Sequence, residues 1–457
     1  MHERGVTVHY GFLSCIPILV LLIGGFATGR ITEMLIVSTT IGAVIIYKTA
    51  FFGEYVKLIY EVLSNGSYQF ILILLIGIGA MTSLWEKSGS LSGFRDRLGK
   101  WMTTPKRSIL ITWLLTFVMF IDDYLVLLAI PSSIRKLTDR AGVPREHLAY
   151  TLNAMGASIC ILIPCTSWSA FTITQLEKVG MTFGDYVRAI PYMFFPIASV
   201  IVSFLIAAEI LPKTGALKAA YARVRSGGPA LSDEEVPGAA VVDTEKKEEQ
   251  EYPPTSLFNF FVPLIVLIAV TILYERSITH GIVAALVCML IMYKAQKLIT
   301  VGDFFNTIFD SMKGMAAIGF VVLFAFMIAA ENDKMGFAPY VIGTFSRIIT
   351  PRLLPLVVFI VMTIISFAMG DGWSLMIISM PIFIPMARQM GVSPLIVLGA
   401  TLSGLNIGVV SCLQSDALFM TYAGTGVPNI TQIKTGLPYV VLAGVLSAIA
   451  FLIVGFL

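Results

Sequence analysis

Charge is what this chain has least of. Only 13% of its 457 residues are Asp, Glu, Lys or Arg, about half the share of a soluble domain. That excludes an ordinary soluble enzyme. The four histidines, at 2, 9, 147 and 280, all lie outside the deep parts of the apolar runs, so an imidazole proton relay inside a membrane has no support. Five cysteines (15, 160, 165, 288 and 412) make an odd number in apolar segments without a C-x-x-C, which argues against disulfides and structural zinc. There is no ten-residue alternation of apolar and polar residues, so a transmembrane barrel is excluded. No phosphate loop, metal-ligand cluster or nucleophile–base pair lies in or near the apolar runs, so neither an enzyme nor a cofactor is expected. No Lys or Arg sits centrally in any run, and a site for a multiply charged anion would want one.

What the chain has instead is hydrocarbon. It is 57% hydrophobic with a mean hydropathy of +0.86, and runs of membrane-spanning length recur along it. This predicts an all-α polytopic protein of the cell (inner) membrane, in contact with the lipid bilayer and with no role for nucleic acid. Phe12–Ala27 could pass for a signal-peptide core, but a counterpart occurs later in the chain where no signal peptide could lie.

That counterpart belongs to an internal duplication, with an offset of roughly 246–250 positions. Cys15-Ile-Pro-Ile18 faces Phe261-Val-Pro-Leu264, Tyr47-Lys48 faces Tyr293-Lys294, Pro131 faces Pro381, Gly142-Val143 faces Gly391-Val392, and Thr151-Leu152 faces Thr401-Leu402. The chain divides into a first repeat at 1–212, a linker at 213–257 and a second repeat at 258–457. The linker holds the charged run Asp243–Glu251 and too few apolar residues to fold, so it reads as a solvated segment. Spans are expected near 12–28, 31–47, 68–85, 148–175 and 190–211, and again near 258–275, 279–293, 314–330, 394–424 and 438–457. Between them, 108–136 and 353–387 are each too long for one straight span of roughly 20 residues and too short for two. Each is broken midway, by Asp122-Asp123 and by Gly370-Asp371-Gly372, so each predicts a re-entrant hairpin. With about ten spans and two hairpins, 21 of the 31 Lys and Arg fall on one side, which is then cytoplasmic and carries the linker. Both termini lie outside, and the two halves become inverted repeats, with broken helices at the midplane.

Chemistry is expected at the breaks. A bare carboxylate in hydrocarbon costs about 3 kcal/mol or more, so Asp122 and Asp123 read as a cation or proton site at a hairpin tip, ahead of one acid simply capping a helix. Asp371 sits at the matching tip, followed by Trp373 and Ser374, and there capping is as good a reading. The spans after the hairpins break at Pro164-Cys-Thr166-Ser167-Trp168-Ser169 and at Ser411-Cys-Leu-Gln-Ser415-Asp416, with Thr166 opposite Asp416 at the repeat offset. Hydroxyls and free carbonyls at such breaks suit Na⁺, giving a candidate Na⁺ set of Asp122, Asp123 and Asp416. Asn153 and Asn406 could line the site or bond between helices. Tyr124, Trp168 and Trp373 could box a substituted ammonium, although aromatic packing is the commoner use.

Several of these residues fall in motifs. Phe120-Ile-Asp-Asp-Tyr124, Arg135-Lys-Leu-Thr-Asp139, Pro144-Arg-Glu-His-Leu-Ala-Tyr150 and Pro164-Cys-Thr-Ser-Trp-Ser-Ala-Phe171 resemble, in order, motifs of the NhaC-type Na⁺/H⁺ antiporters of the ion transporter superfamily. Gly370…Trp373, Pro381, Ser415-Asp416 and Leu437-Pro-Tyr439 extend the resemblance through the second half. It implies a secondary transporter coupled to Na⁺ or H⁺, with inverted repeats, two hairpins, elevator-like movement and a homodimer. The chain departs from the family where Asn153-Ala154-Met155 stands for Asp-Ser-Thr and Gly408-Val409-Val410 for Gly-Asp-His. The loss of those titratable groups weakens simple Na⁺/H⁺ exchange. It keeps open a Na⁺- or H⁺-coupled carrier of a small organic solute, such as an amino acid, amine or carboxylate.

Overall fold

The computed structural model describes residues 10–28, 30–120, 122–232, 252–274, 278–345, 349–370 and 372–457, without the side chains of Phe26, Ile31, Arg95, Ala317, Ile342, Phe345 and Ser374. Among these residues there are twenty-one α-helices and no strand. The first half forms α1 (Ile16–Thr28), α2 (Ile31–Tyr47), α3 (Phe51–Leu63), α4 (Gly66–Lys87), α5 (Ser90–Gly99), α6 (Pro105–Val118), α7 (Asp123–Arg140), α8 (Arg145–Leu162), α9 (Ser167–Glu177), α10 (Phe183–Ala189) and α11 (Phe194–Ala207). After α12 (Gly215–Arg225) come α13 (Phe258–Leu273), α14 (Ile278–Ala295), α15 (Val301–Met335), α16 (Phe337–Phe345), α17 (Leu354–Met369), α18 (Gly372–Gln389), α19 (Pro394–Ser411), α20 (Asp416–Thr425) and α21 (Asn429–Phe456).

Each of the ten expected spans coincides with a helix or a bent pair. Five stretches are long and apolar enough to cross a bilayer unaided, and three pairs bent by 44–52° raise the number to eight. The remaining two, α1 and α13, are apolar helices of 13 and 16 residues, short of a full bilayer thickness. Both expected hairpins are two helices meeting at the expected break, α6 with α7 and α17 with α18. Thr104 caps the first arm with Pro105 at its first position, and Asp122 caps the second by accepting the amide of Tyr124. In the second hairpin α17 ends on Gly370, whose φ of +71° only glycine adopts cheaply.

One register holds across the hairpins and the broken helices. Pro105 and Leu354, Asp123 and Gly372, Arg145 and Pro394, and Ser167 and Asp416 all open helices and are all 249 positions apart, the same separation as Tyr124 and Trp373. This shifts the expected pairing at the breaks by one residue. Thr166 corresponds to Ser415, and Ser167 to Asp416.

The centre of the molecule is the pair α8 and α19, buried along almost their whole length. Lipid tails are as apolar as leucine, so helices in a bilayer gain by close approach rather than by hiding grease. Small residues supply that approach. A Cβ at Gly404 would meet the Phe359 carbonyl of α17 at 2.5 Å, and one at Gly424 of α20 would meet Pro131 of α7 at 2.5 Å. The contacts cross between the halves, α7 resting on α20 and α18 on α9. Outward faces such as Phe258, Leu273, Val283 and Ile453 are exposed and apolar, as a lipid-facing surface must be.

Polar contacts also join segments distant in the chain. Lys87 pairs with Asp303, Arg223 with Glu146, and the Thr214 amide donates to the Tyr439 hydroxyl. Elsewhere Lys334 pairs with Glu61, Arg388 donates to the Val179 carbonyl, and Arg352 lies over the Phe456 ring.

The segment 213–257, expected to be solvated throughout, is partly built into the fold. Its residues Gly215–Arg225 form α12, which buries Leu217, Ala220 and Tyr221 against α8 and α21. Arg223 places its guanidinium 2.8 Å from the buried Glu146 carboxylate, and the Tyr221 hydroxyl lies 2.7 Å from His147 Nδ1. Three apolar residues at helical spacing were outweighed in the sequence by the charged run, of which 243–251 lies outside the described residues. Removing one partner of a buried ion pair leaves the other uncompensated. R223A should therefore lower the melting temperature in detergent by several degrees, whereas R225A, at the end of α12, should leave it within a degree or so.

Candidate cation site

Three helices start at one place. Asp122 is the N-cap of α7, Thr166 that of α9, and Ser415 that of α20. Helix N-termini carry unsatisfied N–H groups and partial positive charge, which favour carboxylates. The bonds there cross between elements. Asp122 is wholly buried and accepts the Ser167 hydroxyl at 2.7 Å and the Tyr124 amide at 3.0 Å. Asp416, 7% exposed, accepts the Tyr124 hydroxyl at 2.6 Å and the Ala417 amide at 2.7 Å. The Tyr124 oxygen also accepts the Trp373 indole N–H at 3.3 Å. First hairpin, first break, second hairpin and second break thus meet in one hydrogen-bonded chain.

Asp123 differs from its neighbours. It is 1% exposed, and among the described residues neither oxygen accepts a hydrogen bond. The Trp168 N–H faces it without reaching hydrogen-bond geometry. Asp122 and Asp416 are both close enough to repel its charge. The three acids do not form one chelate. Among the described residues no three carboxylate, thiol or imidazole groups stand together as a metal-binding cluster. The sequence-derived Na⁺ set is therefore gathered into one neighbourhood, with two of its members already engaged and Asp123 open.

The breaks use their own hydroxyls. Thr166 donates to the Cys160 carbonyl at 2.5 Å and forms a capping box with Ser169, while Ser415 donates to the Val409 carbonyl at 2.6 Å. Each spans six residues, the same closure in both halves. Both hydroxyls hold the backbone open instead of facing the acids, and of the described hydroxyls at the two breaks it is Ser167 that reaches a carboxylate. The breaks are also tied to the hairpins: Cys160 Sγ lies 3.2 Å from the Phe120 carbonyl, and the Gln414 amide donates to the Ala368 carbonyl.

The two asparagines bond between helices. Asn153 donates to Gln432 at 2.7 Å and accepts from Thr421 at 2.6 Å, fastening α8 to α21 and α20. Asn406 donates to the Ser158 hydroxyl at 2.9 Å, joining α19 to α8. Neither touches the acids through these bonds. The aromatic residues do surround them, but as a packed stack. Trp168 and Trp373 have centroids 5.0 Å apart, and Phe171 meets Trp373 edge-on at 4.9 Å. That is aromatic packing rather than an open box. Asp371 lies outside the described residues, and so does the side chain of Ser374. Gln414, Thr421 and Gln432 were not singled out from the sequence, because a lone amide or hydroxyl in an apolar run carries no distinguishing pattern.

Comparison with known proteins settles the affiliation. The model of the Na⁺/H⁺ antiporter family matches residues 159–456, well over half of the chain. The chain belongs to the Na⁺/H⁺ antiporter family. An uncharacterized protein of Haemophilus influenzae (strain ATCC 51907 / DSM 11121 / KW20 / Rd) is 24% identical over 487 aligned positions, covering 97% of this chain and 91% of that protein. Among solved structures, the Alcanivorax borkumensis YdaH transporter aligns over 96% of this chain and 98% of its own, at 14% identity and a TM-score of 0.42. A member of the Na⁺/H⁺ antiporter family is a multi-pass membrane transporter and not an enzyme, and the family implies coupling ions.

Tyr124 joins both hairpins to the second break through one oxygen. Y124F takes a hydrogen bond from a buried carboxylate, which costs about 1–3 kcal/mol. Its melting temperature should fall accordingly, and its tryptophan emission should shift because Trp373 loses its acceptor. If both stay at wild-type values, the Tyr124 bond does not organise the site.

Proposed function

We propose that this family member is a secondary active transporter of the NhaC antiporter type, in which Asp123 takes the driving cation between Asp122 and Asp416. One observation carries the reading: Asp123 is buried, accepts no hydrogen bond among the described residues, and lies beside two further carboxylates. Three buried acids cannot all stay ionised without a positive charge among them. Either Na⁺ or a proton supplies it. Two species that neutralise the same acid compete for it, and competition at one site is the chemistry of exchange. Asp122 and Asp416 keep their own donors and act on the cation as flanking charges.

Movement follows from the repeats. In this reading the halves are inverted, the linker is cytoplasmic in the inner membrane, and the termini are outside. The polar contacts support it. Lys87–Asp303 and Arg223–Glu146 each join two segments expected inside, Thr214 meets Tyr439 at the inner end of the last expected span, and Lys334–Glu61 and Arg388–Val179 each join two segments expected outside. The hairpins with α8 and α19 then form the body that carries the cation, elevator-like, past the wall built around α4 and α15. A homodimer would anchor that wall.

A second reading has an observation of its own. At two places where the family commonly carries titratable groups, Asn153 ties helices together and the Val409 carbonyl holds the Ser415 hydroxyl. These positions serve structure here. Fewer titrating groups suit a carrier in which Na⁺ or H⁺ drives a small organic solute.

Proteoliposome flux separates the two. For the antiporter, an imposed pH gradient should drive Na⁺ movement with no solute added. If it drives none, and Na⁺ moves only with an amino acid, amine or carboxylate present, the carrier reading replaces it. In either case D123N should weaken Na⁺ dependence at least about tenfold, equivalent to about 1.4 kcal/mol. D122N should have a smaller effect, because Asp122 already accepts two hydrogen bonds. Wild-type Na⁺ dependence in D123N would place the cation elsewhere.

A further inference from the structure

A second acid lies buried away from the carboxylate cluster. Glu331, in the last turns of α15, has 0% exposure, and among the described residues neither carboxyl oxygen has a hydrogen-bond partner. The carboxyl lies flat against α2, so that a Cβ at Gly42 would fall on it. The nearby hydroxyls of α2 are engaged: Ser38 donates to the Pro17 carbonyl, and Thr39 bonds the Leu35 carbonyl and the Tyr55 hydroxyl. Among the described residues the cation acting on Glu331 is Lys334, a turn away, and its ammonium is held by Glu61 of α3 at 2.5 Å and by Tyr47 at 3.2 Å. On the other helices against α15, Tyr68 of α4 donates to the Gly319 carbonyl and Asp416 of α20 accepts from Tyr124.

An ionised carboxylate in this position would be desolvated with nothing to offset the cost, which is many times that of burying the neutral acid. Na⁺ does not resolve it, since a hard cation needs several oxygens gathered around it, and among the described residues no polar group hydrogen-bonds either carboxyl oxygen. A proton needs none. We infer that Glu331 is a second proton-binding carboxyl, separate from Asp122, Asp123 and Asp416, which carries its proton as a neutral acid at the contact of α2 with α15. Lys334, a third exposed, is one turn away, so the path to water is short. The α2–α15 contact then depends on that proton, because ionisation would drive the carboxyl off Gly42 toward Lys334 and water.

Infrared difference spectroscopy of the full-length protein between neutral and alkaline pH tests this. A carbonyl stretch from a non-hydrogen-bonded carboxylic acid should be present in the wild type and in D123N, and lost in E331Q. Gln has the size of the neutral acid, so E331Q should fold and melt within a few degrees of the wild type at neutral pH. The linkage has a definite sign. A proton held more tightly in the folded state stabilises it fully only below the ordinary carboxyl range, and that contribution falls with rising pH from there until the buried carboxyl itself ionises in alkali. Wild-type melting temperature should therefore fall more steeply above neutrality than that of E331Q. A complete set of carboxylic acid bands in E331Q, or an alkaline decline identical to the wild type's, would overturn the inference. Should E331Q not accumulate, G42A places a methyl on the carboxyl and must shift the same band; an unshifted band overturns the inference equally.

Discussion

Charge buried in a low-dielectric interior is the constraint on which the rest of this structure depends. Two adjacent acids and a third from the other half occupy the middle of a protein whose surroundings are hydrocarbon. Helix N-termini are the means by which the backbone meets that cost, because their free N–H groups and partial positive charge point at whatever stands in front of them. A helix cannot offer an N-terminus inside the membrane unless the one before it ends there. Broken helices and hairpins are therefore what three buried carboxylates require, and the chain breaks where the acids are.

From that requirement the architecture follows outward. The breaks need protein around them, because loose backbone is not tolerated against lipid. The buried pair α8 and α19 supplies the inside wall, and the crossed contacts of α7 with α20 and α18 with α9 close the rest. Glycine at 404 and 424 lets the backbones come that close. The hydroxyls of Thr166 and Ser415 close equivalent loops of six residues, so the two breaks are held open by the same small device. Asp122 and Asp416 have hydrogen-bonding partners in this frame and Asp123 has none among the described residues. That difference, more than the presence of three acids, is what makes Asp123 the proposed place for a cation or proton.

Much of this was legible in the residues. Helices stand where hydropathy put the ten spans, and the helix ends within 108–136 and 353–387 fall at the two expected breaks, because each is specified by a local run or a local interruption. Asp122 and Asp123 stood out as candidate site residues because a charge in hydrocarbon is costly wherever it points. The pairing of the breaks was off by one residue, since weak matches at an offset drifting by a few positions cannot set a register that helix ends do set. The linker helix α12 was missed because its three buried residues sit beside a far louder run of charge. Glu331 lies at the end of a span, where the sequence cannot distinguish a solvated acid from one turned inward against Gly42. For Tyr124, Trp168 and Trp373 packing was the commoner reading of the residue types, and the two indoles do pack on each other.

By itself the sequence determined the class of molecule, the places where its helices break and the sign of the charge at those places. All three are local properties, set by a few neighbouring residues and the solvent they exclude. Tertiary structure alone decided which acid has donors and which does not. That depends on whether a hydroxyl from Ser167 or Tyr124 arrives within about 3 Å, and those groups come to Asp122 and Asp416 from 45 and 292 positions away along the chain.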